Sequence, residues 1–127
     1  MTAKTYGHSL KTWNTAKDEA LAAMTKAAKR RGMITYTELA QQIEAIKFHP
    51  HDMPLHAMLG ECSTDEAKAG RGMISVVVVH KRGDMEPGAG FYALAEELGR
   101  PKEEKTKMWV KELHLVHDYW SNKAKPR

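Results

Sequence analysis

Residues 74–84 read ISVVVVHKRGD, a run of β-branched side chains closed by a charged turn. Branching at Cβ restricts rotamers in a helix and suits a pleated sheet, so residues 74–79 are expected to form a strand. Four consecutive valines put apolar groups on both faces, which calls for a strand covered on both sides. Next to it, Gly70-Arg71-Gly72 and Pro87-Gly88-Ala89-Gly90 interrupt the pattern as loops. The predicted core is this strand, flanked by helices over 15–31 and 103–121.

Upstream, Ala20, Met24 and Ala27, or Leu21, Met24 and Ala28, recur at helical spacing, with Thr15 as the expected cap and Gly32 as the stop. Asp18 and Glu19 would then face the positive helix end, and Lys29, Arg30 and Arg31 the negative one. A very short strand at 33–34 leads into Thr35 and Glu38, the spacing of a capping box. Leu39, Ile43 and Ile46 mark the buried side of the helix that follows, over 36–46. Asp52 opens a third helix, over 53–60, with Leu55, Met58 and Leu59 as its apolar stripe. Ser63 and Glu66 repeat the box spacing and predict a separate helical turn toward Lys68. Downstream, Phe91, Leu94, Ala95 and Leu98 define a short helix ended by Gly99. Trp109, Leu113, Val116 and Trp120 form the stripe of the final helix, which seals the core, and residues 122–127 form a basic tail.

With 127 residues, 42% hydrophobic and 28% charged, the chain has the size and balance of one folded domain. The expected class is α+β: a mainly helical, winged-helix-like domain with a short central sheet and a C-terminal packing helix. Residues 33–90 are its winged-helix-like core. No apolar stretch approaches the roughly 20 residues of a membrane-spanning helix. Cys62 is the only cysteine, which rules out an intrachain disulfide and a multi-cysteine metal centre. The opening residues, MTAKTYGHSLKTWN, lack the apolar run of a secretory signal, so a cytoplasmic location is expected.

The net charge of +4 is unevenly spread. Residues 1–31 hold seven Lys or Arg against Asp18 and Glu19, residues 32–70 hold Lys47 and Lys68 against six acids, and residues 71–127 are again basic. Basic character toward both ends permits an anionic partner.

The stretch that begins ITYTELAQQI at Ile34 and runs through VVVVHKRG resembles the C-terminal winged-helix region of alkylguanine DNA alkyltransferases and their catalytically inactive relatives. In that family a related ITYxxLA segment leads through DNA-binding helices to a PCHR reactive motif. The resemblance covers roughly residues 34–90. It implies a duplex-DNA-binding fold, and it places Val78-Val79-His80-Lys81 where the family has Pro-Cys-His-Arg. The nucleophilic cysteine is absent from that position, and Cys62 lies seventeen residues before Val79.

A helix-turn-helix domain sets one helix in the major groove and holds phosphates with surrounding bases and amides. On that reading Gln41, Gln42, His51 and His56 reach base edges or phosphates, and Lys29, Arg30, Arg31, Arg71, Lys81 and Arg82 form a basic rim. Against it stand Glu38, Glu44, Asp52, Glu61, Asp65 and Glu66, which make the middle of the chain acidic. The leading expectation is a non-enzymatic duplex-DNA-binding or regulatory module, with no cofactor, no metal and no membrane partner. One alternative is an adaptor that uses the same scaffold to bind a protein. Another is a metal-dependent phosphodiester hydrolase built on Glu66, His80, Lys81 and Asp84. Gly70-Arg71-Gly72 and the loop at 87–90 could also hold an anion, although neither matches a nucleotide-binding motif. His49, His51 and His56, and separately His114 and His117, have spacings compatible with a metal, while His114 could instead pair with Asp118.

Overall fold

The first helix begins more than a turn earlier than the alanine-rich pattern predicts. In the computed structural model, which describes residues 5–80, 89–101 and 104–124, the Ser9 hydroxyl accepts from the Thr12 amide and opens α1, Leu10–Lys29. Thr15 lies inside the helix, where its hydroxyl donates to the Lys11 carbonyl at 2.9 Å. Trp13 explains the difference. It is fully buried, and with Ala16, Ala20, Met24 and Ala27 it carries the apolar stripe back toward the cap. Asp18 and Glu19 therefore sit within the helix and not at its positive end. The left-handed residue that ends α1 is Arg31, at φ 55°, and the Gly32 amide donates back to the Ala27 carbonyl at 2.9 Å.

β1, Ile34–Thr35, feeds directly into α2, Tyr36–Gln42. The expected capping box is present: the Glu38 amide donates to Thr35 Oγ1 at 3.1 Å, and the Thr35 amide donates to Glu38 Oε1 at 2.9 Å. The helix stops short of Ile46, because the Glu19 carboxylate on α1 accepts the amides of Glu44 and Ala45 at 3.2 and 2.9 Å. Ile43 and Ile46 are buried all the same.

α3, Met53–Lys68, is one continuous helix where a break at Gly60 was expected. Ser63 does not cap a new turn; its hydroxyl meets that of Ser75 at 2.6 Å and accepts the Ser75 amide at 2.9 Å. Asp52 precedes the helix without capping it, and its carboxylate instead accepts the His49 amide at 2.8 Å, closing the HPHD turn.

The valine run is buried throughout, as expected, yet only its end is a strand. Ile74–Val77 is a 3₁₀ turn, and β2 is Val78–Val79. Side chains satisfy much of this backbone. The Ser63 hydroxyl takes the Ser75 amide, and the Trp109 indole N–H donates to the Val76 carbonyl at 3.0 Å. The partner strand is itself only two residues long, since α2 begins at Tyr36. β1 and β2 pair in parallel, Ile34 opposite Val78 and Thr35 opposite Val79, with α2 and α3 as the crossover.

α4, Ala89–Glu97, is followed by a turn with Gly99 at φ 82°, and α5, Lys105–Ala124, packs against α1 and the 3₁₀ turn. The fold is α+β in composition, mainly helical with a small parallel two-stranded sheet. Its core gathers Trp13, Met24, Leu39, Leu55, Met58, Ile74 and Val76. Two features fix α5. Gly72, at φ 91°, leaves no room for a side chain beneath Leu115 and Val116. Buried Glu112 accepts the Met73 amide at 2.7 Å and both Nε and Nη2 of Arg100. His117 Nε2 donates to the Gly32 carbonyl at 2.9 Å, and Asp118 pairs with Arg31 rather than with His114. Among the described residues no helix is long and apolar enough to cross a membrane.

Candidate nucleic-acid interface

Three elements converge on Tyr36, the first residue of α2. His56, in the first turn of α3, stacks on its ring with centroids 4.9 Å apart at 23°, and His80, just past β2, lies 5.0 Å away at 37°. Tyr36 is buried, whereas both imidazoles are exposed. His56 is held a second time, because its Nε2 donates to the Pro50 carbonyl at 3.0 Å. Beneath the rings lies a cavity of about 50 Å³ bordered by Leu59, Ser75 and Phe91. That is far below the roughly 300 Å³ at which ligand pockets begin, so these side chains present a surface and not a pocket.

α3 is electrically divided. Its first half, residues 53–60, carries no carboxylate, and Met53 and His56 are exposed there, Met53 at 72%. Its second half carries Glu61, Asp65 and Glu66, and each has a structural partner. Glu61 accepts the Trp13 indole N–H at 3.1 Å and pairs with Lys17 at 3.3 Å, Asp65 pairs with Lys17 at 2.9 Å, and Glu66 holds Arg71 through two bonds of 2.8 Å. Burial works against the Lys17 ammonium, but hydrogen bonds to Asp65 and Glu61 outweigh it and raise its pKa above the ordinary value. Glu38 is spent in the capping box, and Asp52 on His49. Most of the acids that weighed against an anionic partner thus have partners of their own, although Glu38, Glu44 and Asp65 remain exposed.

The residues expected to bind nucleic acid are spread over several places. Gln41 and Gln42 are exposed at the end of α2, and His51 in the turn before α3. Lys29 and Arg30 are exposed at the end of α1, where Arg30 Nη2 donates to the Met33 carbonyl at 3.2 Å. Arg31 faces α5, bound to Asp118 at 2.9 Å and to Ser121 at 3.0 Å. Arg71 lies beyond the far end of α3 from His56, with roughly 18 Å of helix between His56 and Lys68. Lys81 and Arg82 lie outside the described residues.

The hydrolytic set does not come together within the described residues. Glu66 is taken by Arg71 near the end of α3, His80 adjoins the helix start, and Lys81 and Asp84 lie outside the described residues. Among the described residues no group of three or more His, Cys, Asp or Glu side chains is placed to hold a metal ion. Gly72 serves close packing against α5. Of the loop expected at 87–90, residues 87 and 88 lie outside the described residues, while Ala89 and Gly90 belong to α4 and not to a loop. Val79, which the resemblance would set at the position of the reactive cysteine, is fully buried. Cys62 is buried too, and burial chiefly pushes its pKa up to about 12, with nearby Asp65, Glu61 and Glu66 adding to the shift against Lys17. Burial thus disfavours the Cys62 thiolate.

Sequence reasoning missed Tyr36, whose ring joins the two histidines, and the roles of Glu112 and Glu19. Tyr36 carried a usable signal, an aromatic residue at the first position of a capped helix beside a strand end. Comparison with family models, with curated proteins and with solved structures found no match in any of the three.

Proposed function

We propose that the chain is a non-enzymatic module that binds double-stranded DNA, with α2 and α3 acting as a helix-turn-helix and the first half of α3 entering the major groove. The observation that carries this reading is the meeting of exposed His56 and His80 on Tyr36, beside a half-helix free of carboxylates. A recognition helix presents its N-terminal residues to base edges, and here those residues are Met53 and His56. Gln41, Gln42 and His51 flank them. Lys29 and Arg30, with Lys81 and Arg82 following His80 in sequence, would supply phosphate contacts; Arg31 and Arg71 would supply less, since Asp118 and Glu66 balance their charge. The resemblance of residues 34–90 to the alkyltransferase winged-helix region favours duplex binding, and the valine in place of the nucleophile favours binding without the reaction.

The test is titration of the chain against random-sequence duplexes across a salt series. Six phosphate contacts give a logarithmic salt slope of about −5, and replacing Lys81 and Arg82 together should reduce the slope by about 2. Undetectable binding at low salt by a folded chain would reject the reading and leave a protein partner as the next candidate.

A further inference from the structure

We infer that the cleft between α4 and α5 binds a small monocarboxylate whose apolar body is the size of one ring, an inference that stands apart from the duplex-DNA reading. The cleft measures about 240 Å³. Its apolar lining is Tyr92 and Ala95 on α4, Pro101 in the turn that follows, and Met108 on α5; Ala95 and Met108 are buried and Tyr92 is half-buried. A cavity of about 150 Å³ is enough to take up benzene, and drug-sized ligands need roughly 300 Å³ or more. The space therefore fits one ring with one substituent.

Charge selects the substituent. Lys105 lines the cleft with its ammonium 5.3 Å from the centre of the Tyr92 ring, and among the described residues it pairs with no carboxylate. It is exposed, and its flexible stem lets the ammonium follow a ligand. Arg100 lines the same cleft, held in place by the two bonds it donates to buried Glu112. A guanidinium has five N–H groups, so most of its donors remain unspent, and their position costs no further ordering on binding. Glu96 also borders the cleft; it is exposed and engaged in a contact of its own. With Glu112 balancing Arg100, Lys105 supplies the unbalanced positive charge, and a single carboxylate answers it.

The experiment titrates the full chain, near pH 7 where carboxylates are ionised, with benzoate, with benzamide as its uncharged isostere and with acetate as the head alone. The Ala95 amide and the Met108 methyl are followed by NMR. Benzoate should shift both signals saturably, with a Kd of about 1 mM. Benzamide should bind about 10-fold more weakly, and acetate should shift neither signal at about 10 mM. Lys105→Gln replaces an exposed side chain and leaves the core untouched; it should weaken benzoate about 4-fold and leave benzamide unchanged. Equal binding of benzoate and benzamide, or full benzoate affinity in the Lys105→Gln chain, would overturn the inference, because charge would then select nothing. Shifts that fail to saturate, or that arise only away from α4 and α5, would overturn it as well. None of these outcomes bears on the duplex titration, so the two readings fail separately.

Discussion

The Glu112 carboxylate on α5 reaches the Met73 amide at 2.7 Å, tying the last helix to the chain just before the valine run. The same carboxylate clamps Arg100 at 2.8 and 2.9 Å and is almost wholly buried. Replacing it by alanine strands a partly buried guanidinium and a buried amide. Glu112→Ala should destabilise the fold by about 3 kcal/mol, read as a lower urea midpoint with an unchanged slope. Glu112→Gln keeps an acceptor for Met73 and should lose less.

The two described indoles with hydrogen-bond partners are unequal. Trp13 is fully buried and donates to Glu61, whereas Trp109 is half-buried and donates to the Val76 carbonyl. Trp13→Ala should cost about 4 kcal/mol and Trp109→Ala less than that, measured by equilibrium unfolding. A larger loss at Trp109 would contradict the burial that separates them.

Gly72 combines a left-handed backbone with contact against Leu115 and Val116. Gly72→Ala should destabilise by about 3 kcal/mol, from the strained φ and the crowding together. Adding Leu115→Ala should recover the Leu115 share of the crowding and leave the backbone part and the contact with Val116. No recovery in the double variant would place the cost in the backbone and Val116.

Cys62 should resist thiol reagents at neutral pH in the folded chain and react once the chain unfolds. The pH dependence has a definite sign. The thiol ionises near 9 when unfolded and near 12 when folded, so between those values the unfolded chain has lost a proton that the folded chain keeps. Stability falls as pH rises through that window, by at most about 1.4 kcal/mol per pH unit from this group. Comparing wild type with Cys62→Ala across the window isolates the contribution; parallel curves would refute it.

What the sequence disclosed was mostly local. The Thr35–Glu38 box, the Gly99 turn and the stripe of the last helix depend on neighbours three or four residues away, and each was legible. The early start of α1 was masked because Trp13 follows polar residues, and its burial depends on contacts far along the chain. Gly60 reads as a helix end, yet α3 continues through it, and Ser63 bonds Ser75 instead of capping a new turn. The valine run disclosed its burial but not its conformation, since a 3₁₀ turn needed Ser63 and Trp109 to receive its backbone groups. At the candidate interface, His56 and the scattered bases were nameable in advance. Their separation, and the pairing of Glu61 and Asp65 with Lys17, depended on where α1 and α3 meet.

Ile34 and Val78 face each other across the sheet although 44 positions separate them in the chain. Closing a loop of that length costs about 3 kcal/mol in chain entropy beyond a constant, and two ladder pairs contribute about 1 kcal/mol per net hydrogen bond. Strand pairing therefore cannot nucleate folding. It must wait until α2 and α3 have docked on α1 and brought the strand ends together. The sheet is a late latch, so substitutions in β1 or β2 are expected to quicken unfolding far more than they slow folding.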